Sequence, residues 1–292
     1  NLKIDLNASR TQTIAKSIQY MYAGNPTTQS GTFTMTTISL RSAFEGIGNA
    51  NNGFRSSSFI RFCNSLDGFR DRVEALYAGS IYPAGTSLAG RPFNPANGTV
   101  NKYSADVMIP AFISTYTSMS GKSLSLFPAL SRLLPNWTLR YSGLSSLPWF
   151  RDVFKSVNIN HSYKSIFAIG SYNTFSTFQE YMNGLGFITD ATTGNPTPNS
   201  MYNISAVSIN EAFSPLLGID LTFNNNLTTK IEYRTTRVLS LSTTSIQINE
   251  AVSRDWVIGL AYKLNDFNLF GMGGSRRIKS KARNKQPQQN QT

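Results

Sequence analysis

The side chains that perform most protein chemistry are scarce in this chain, and the few present are poorly spaced for it. His161 is the only histidine and Cys63 the only cysteine. Together they leave no disulfide, no thiolate cluster, few zinc sites and no Ser-His-Asp triad that omits His161. His161 alternates with Val157, Ile159 and Tyr163 on what reads as an apolar strand face, so it is expected to be packed or interfacial rather than a general base. Cys63 falls between Phe62 and Leu66 in a helical repeat and is expected to be a small buried residue. The glycines of "GMGGS" (271–275) are not followed by a Lys-Ser pair, and the acidic residues never fall into a metal-loop spacing. Asn-x-Ser/Thr triplets such as Asn97-Gly98-Thr99 and Asn226-Leu227-Thr228 arise by chance in a chain so rich in Asn and Thr. No catalytic residue, cofactor or metal is expected, and an enzyme is the weaker class.

The charge points to a partner only until it is located. Of the formal +12, six Lys and Arg lie in "RRIKSKARNK" (276–285), which leaves +6 for the rest. Residues 271–292 therefore read as a basic, polar, disordered tail, and no nucleic-acid partner is expected. No run of about 18 apolar residues is present, so no transmembrane helix is expected. The chain opens at Asn1, directly inside a strand-like stretch, and reads as a piece of something longer.

What positions these residues is a repeated alternation. "LKIDL" sets Leu2, Ile4 and Leu6 against Lys3 and Asp5, and "NWTLRY" sets Trp137, Leu139 and Tyr141 against Asn136, Thr138 and Arg140. "GIDLTFNNNLTTKIEYR" gives two alternating runs around an Asn triplet that reads as a tight hairpin. "DWVIGLAYKL" opposes Trp256, Ile258, Leu260, Tyr262 and Leu264 to Val257, Gly259, Ala261 and Lys263. About ten such segments are expected by this pattern, including "TFTMTTISL", "SIFAIGSYNTF", "MYNISAVSIN" and "LSTTSIQIN".

One stretch breaks the period. From Ser56 to Ala78, Phe59, Phe62, Leu66, Phe69, Val73 and Leu76 recur three or four apart, which predicts a helix capped at Ser56, Ser57 or Ser58 and closed by Gly79. A Gly and Pro rich loop and a short helix around "VMIPAFISTYTSM" follow, with Pro110 placed in its first turn. The expected organisation is barrel strands at 1–44, a helical and loop insertion at 45–134 acting as a cap or lumen element, barrel strands at 135–270 and the tail. "GLGFITDATTGNPTPNS" (184–200) is a smaller insertion.

Strands this long, oily on one face and charged or amide-bearing on the other, with aromatics towards their ends, fit a transmembrane barrel better than a sandwich. The fold expected is thus mainly β: an antiparallel transmembrane β-barrel segment with a partly helical insertion.

The stretch "LLPNWTLRYSGLSSLPWFRDVFKSVNINHSYKSIFAIGSYNTF" (133–175) resembles the SprA/Sov family, the outer-membrane translocon of the Bacteroidota type IX secretion system. "KIEYRTTRVLSLSTTSIQINEAVSRDWVIGLAYKLNDF" (230–267) is similar to that family's late strands. "VMIPAFISTYT" (107–117) and "FTMTTISLRSAFEG" (33–46) are looser likenesses. The most specific piece is Pro135-Asn136-Trp137. The resemblance implies part of a very large barrel, located in the cell outer membrane, that conducts folded cargo proteins and in many members serves gliding motility. Its implied partners are the rest of the barrel, outer-membrane lipid, secreted cargo, a plug and a shuttle barrel.

On that reading Lys230, Glu232, Arg234, Asp220, Asn158 and Asn160 line a hydrated lumen. Trp137, Tyr141, Leu221, Ile231, Tyr233, Trp256, Ile258 and Tyr262 face lipid or its interface. The rival readings are a secreted β-sandwich binding glycan or protein, and another outer-membrane barrel such as a porin or receptor.

Overall fold

The computed structural model describes residues 1–21, 27–119, 121, 123–182 and 184–264. The expected tail at 271–292, and residues 265–270 before it, lie outside them. In chain order the elements are β1 (Leu2–Asn7), β2 (Arg10–Ile18), β3 (Thr27–Thr36), α1 (Leu40–Ala43), α2 (Ser57–Ala75), α3 (Ala105–Tyr116), β4 (Asn136–Tyr141), α4 (Pro148–Arg151), β5 (Phe154–Thr174), β6 (Gln179–Met182), β7 (Leu185–Thr189), β8 (Pro196–Ser200), β9 (Tyr202–Asn203), β10 (Ala206–Phe223), β11 (Leu227–Ser242) and β12 (Gln247–Tyr262). The architecture is mainly β, and every strand pair among the described residues is antiparallel.

The large sheet is an up-and-down meander in which three strand lines are interrupted, among them that of β9 and β10, which lie end to end against β5. β3 pairs with β5 from Ser30↔Asn173 to Thr36↔Ile166, and β4 continues along the same side from Trp137↔Tyr163 to Tyr141↔Ile159. β1 and β2 lie end to end in the same way against β4 and β3. Lateral order is then β1/β2, β3/β4, β5, β9/β10, β11, β12. The outer sides of β1/β2 and of β12 have no neighbouring strand, so the sheet is open among the described residues.

The whole helical insertion leaves and re-enters between two adjacent rungs of one ladder. The Thr37 N–H donates to the Ser165 carbonyl (3.0 Å), and the Asn136 side-chain oxygen accepts from the Ser165 N–H (2.8 Å), so both ends of the excursion are stitched to one residue of β5. Asn136, the centre of the Pro-Asn-Trp motif, is buried for this purpose. The insertion therefore opens at Thr37, earlier than the expected 45.

Local chemistry explains most boundaries. The Asn triplet forms the predicted hairpin between β10 and β11, with Asn226 at φ 66°, a conformation Asn tolerates. "LSTTSIQIN" is not a strand but the second hairpin: β11 stops at Ser242 and β12 starts at Gln247. Its hydroxyls compete with the ladder, since Ser242 Oγ takes the Ser245 N–H (3.2 Å) and Thr243 Oγ1 donates to the Ile204 carbonyl.

Helix α2 starts as expected, Ser56 Oγ accepting from the Phe59 N–H (3.1 Å), and buries Phe62, Leu66, Phe69 and Val73. It ends at Ala75, with Leu76 as its C-cap, rather than at Gly79, whose positive φ serves a turn beyond it. Cys63 is exposed, not buried, because it lies just off that inward stripe. Helix α3 begins at Ala105, which puts Pro110 in its interior rather than its first turn. Nearly all of α3 is buried, so tertiary packing outweighs the missing N–H.

The second insertion is a small sheet ordered β6-β7-β8. It docks on the first through Phe187, whose ring lies 5.3 Å from those of Tyr77 and Tyr82, while the Tyr77 hydroxyl donates to the Gly186 carbonyl (2.9 Å).

Candidate functional site

β11 pairs with β12 without a break from Leu227↔Tyr262 to Ser242↔Gln247, so its alternate residues hold one face throughout. β10 carries extra residues between Phe213 and Leu217, but its partners on both sides resume in the same parity. The two faces of the sheet can therefore be followed strand by strand.

One face changes character midway along the strands. At one end, the row Leu239–Ile209–Phe167–Met35 is at most 1% exposed and packs into a single core with α2 and α3. Towards the other end, the row Ile258–Ile231–Ile219–Ile159–Tyr141–Leu2 is equally apolar, yet no residue in it is buried, and Ile258 is 68% exposed. Trp256, Leu260, Tyr262, Ile4 and Leu6 are exposed on the same band, and Leu221 and Tyr233 are half-buried. The insertion thus covers the side of Ile231 and Tyr233 beyond the band, not the side of Lys230 and Glu232.

A polar row separates the covered and bare halves. Glu211 and Arg237 are direct cross-strand partners, and both are buried. Arg237 pairs with Glu250 (2.7 Å) and donates to the Ser42 carbonyl (2.6 Å) and hydroxyl (2.8 Å) at the base of the insertion. Glu211 accepts from the Tyr163 hydroxyl (2.8 Å), which itself accepts from the Ser39 N–H (2.7 Å). No motif announced this junction. Its signal was present all the same, because Glu211 and Arg237 occupy apolar-face positions in "VSINEAF" and "RVLSL" and carry opposite charges.

Aromatic rings border the bare band at both ends. Trp137 stacks on Tyr163 (4.4 Å), Tyr163 meets Phe213 (4.8 Å), and Phe213 meets Phe44 of the insertion (5.4 Å). At the other border Phe154 meets Phe223 (4.7 Å), Phe150 meets Phe154 (5.8 Å), and Trp149 is exposed beside them. From Tyr163 to Phe154 the chain advances about 30 Å along the strand at about 3.3 Å per residue. At the strand tilt of about 40° that transmembrane barrels have, such a length corresponds to a height of about 23 Å. His161 lies inside the band, half-buried between Trp137 and Phe213, and its Nδ1 meets the Leu216 carbonyl (2.6 Å) that the β10 bulge removes from the ladder. It is a packed histidine, as expected.

The opposite face is polar over the same height. Asn158, Asn160, Asp220, Lys230 and Glu232 line one open groove of about 790 Å³ with Lys3 and Arg140. The Asn160 amide donates to Asp220 (2.6 Å), and Glu232 sits between Lys230 (2.8 Å) and Arg234. Arg234 is in this network without lining the groove. Both signs of charge are present, Lys3, Arg140 and Lys230 standing with Asp220 and Glu232, and Glu232 is ion-paired to Lys230 and Arg234. Among the described residues no group of acidic, His and Cys side chains could hold a metal. No helix among them is long and apolar enough to cross a membrane, which leaves open a crossing by strands.

Neither a scan of protein-family models nor a search of curated proteins returns a match to this chain.

Proposed function

We propose that this chain is a wall segment of an outer-membrane β-barrel, with the bare band towards lipid and the groove face towards a water-filled lumen. The observation that carries the reading is that the apolar rows on the two sides of the polar row differ in cover: Leu239–Met35 is buried under the insertion, whereas the Ile258–Leu2 side is open apart from Val157, which is buried. A bare band of this height, bordered by aromatic rings and backed by a polar face, matches the lipid-exposed belt of such barrels. Inside hydrocarbon every backbone polar group needs a partner, so the outer edges of β1/β2 and β12 are to be closed by further strands of the barrel.

The resemblance of 133–175 and 230–267 to the SprA/Sov translocons extends the proposal to function: a conduit for folded cargo in type IX secretion and gliding motility. The lumen chemistry supports a passive wall, since charges already engaged with one another, as buried Glu232 is with Lys230 and Arg234, bind protein surfaces weakly. Cargo, a plug and a shuttle barrel are the partners of that reading.

Detergent dependence is the test. The chain should be extracted and kept monodisperse only in detergent micelles, and should migrate differently on gels before and after heating. A monodisperse preparation in plain buffer, as a secreted sandwich would give, overturns it.

A further inference from the structure

The segment Leu40–Arg55 runs from the polar row to the start of α2, and its exposed residues suit neither core nor water. Its base is fixed, because Ser39 and Ser42 are held by Tyr163 and Arg237. Beyond that anchor Phe44 is 65% exposed and Phe54 70% exposed, with Leu40 and Ile47 also open. Phe54 holds φ 57°, an uncommon conformation for a bulky residue, and still presents its ring outward. A capping box between Asn49 and Asn52 stiffens the loop between them.

Two observations indicate what lies against it. Phe44 touches Phe213, the rim residue of the bare band, so the apolar surface continues from strand to loop. The charge is one-sided: the loop's single acid, Glu45, is taken by Arg61 and by the Ser58 N–H (2.8 Å). Arg41 and Arg55 make no ion pair among the described residues. Exposed rings flanked by free guanidinium groups, next to an apolar belt, are the composition of an interfacial anchor.

We infer that Leu40–Arg55 is a membrane foot: Leu40 and Phe44 enter the boundary between acyl chains and headgroups, and Arg41 and Arg55 engage lipid phosphates. The inference rests on the barrel reading and adds that the insertion stands on the membrane surface and fixes the depth of the wall. Its partner is phosphate-bearing lipid, not protein.

Spin labels in phosphatidylglycerol-containing vesicles separate the two claims. In a Cys63→Ser background, labels are placed at Phe44→Cys and Ile258→Cys, both exposed positions, and compared for collision with oxygen and with a nickel chelate. The expected result is Ile258 deep and Phe44 at headgroup depth, with Arg41→Glu plus Arg55→Glu moving the Phe44 label towards water. A Phe44 label as accessible to the chelate as in water, beside a deep Ile258, overturns the foot and leaves the barrel. An unchanged Phe44 depth in the double variant overturns the phosphate contact. A watery Ile258 overturns the barrel and the foot with it.

Discussion

Replacing Ile258 by Arg distinguishes lipid from water as the neighbour of the bare band. Ile258 is 68% exposed in the isolated chain, so in a water-soluble protein the change should alter stability by no more than about 0.5 kcal/mol. In a barrel the same position lies mid-band, four residues from Arg254 and four from Tyr262 along β12. Arg at the bilayer midplane costs about 2–4 kcal/mol, and near the interface about 0–1 kcal/mol. The native sequence already follows this gradient: on that face of β12, Glu250 and Arg254 lie at or beyond the rim, and Trp256, Ile258, Leu260 and Tyr262 carry no charge. Val257→Arg is the control, because Val257 points to the polar face opposite Glu232 and gains a partner there.

The assay is denaturant unfolding of the chain in lipid vesicles, followed by tryptophan fluorescence, with folded and unfolded forms counted on gels. A loss of about 2–4 kcal/mol corresponds to roughly 30- to 1000-fold in the folding equilibrium. Ile258→Arg should show it and Val257→Arg should not. Equal, small effects of the two variants would mean that hydrocarbon is not the neighbour of this band.

Other consequences follow from the packing. Arg237→Ala strips the buried cation from between Glu211 and Glu250 and should cost about 3–5 kcal/mol, read as early proteolytic cleavage within 45–134; protease resistance like that of the parent would show that the junction does not hold the insertion down. Asp106 is buried in α3, and burial raises its carboxyl from 3.8 to about 7, partly offset by the Ser200 hydroxyl. The folded chain then keeps a proton that the unfolded chain releases, so stability should fall as pH rises from about 4 to about 7 and level off above, by at most about 4 kcal/mol. Asp106→Asn should flatten that profile in thermal melts, and a parent profile without the fall would refute it. A Cβ at Gly31 would lie 1.9 Å from the Thr13 carbonyl oxygen and 2.7 Å from the Tyr172 hydroxyl. Gly31→Ala should therefore part β2 from β3 at about 1–3 kcal/mol and speed amide exchange along β2, which makes unchanged exchange the contrary result.

The strands were legible because a period of two survives wherever one face is wet, as in Leu227–Arg234 opposite Gly218–Phe223. Turn chemistry was legible only in part. The Asn triplet signals a hairpin by backbone tolerance, whereas Ser242–Ile246 makes its turn from hydroxyl contacts that alternation mimics. The site residues split in the same way. Asn158, Asn160, Asp220, Lys230 and Glu232 were placed on one wall by parity alone, and the structure brings them into one groove. What parity could not give was the partner of the apolar face, because Leu239 and Ile231 read alike in sequence and differ only in whether α2 and α3 reach them.

That difference also explains why a strand can be cut without losing the sheet. β3 and β4 leave the ladder at the level of the polar row, where Ser165 takes both loose ends as hydrogen-bond partners and Arg237 and Tyr163 hold the first residues of the excursion. An interruption one or two rungs further along, beside Ile159 or Ile231, would put unpaired backbone groups against the bare apolar band. If that band faces lipid, each such group would cost several kcal/mol with no water to relieve it. The insertion sits at the level of the sheet where Ser165, Asn136, Tyr163 and Arg237 satisfy a broken ladder, and the one irregularity inside the band among the described residues of β10, its bulge, has its freed Leu216 carbonyl met by His161.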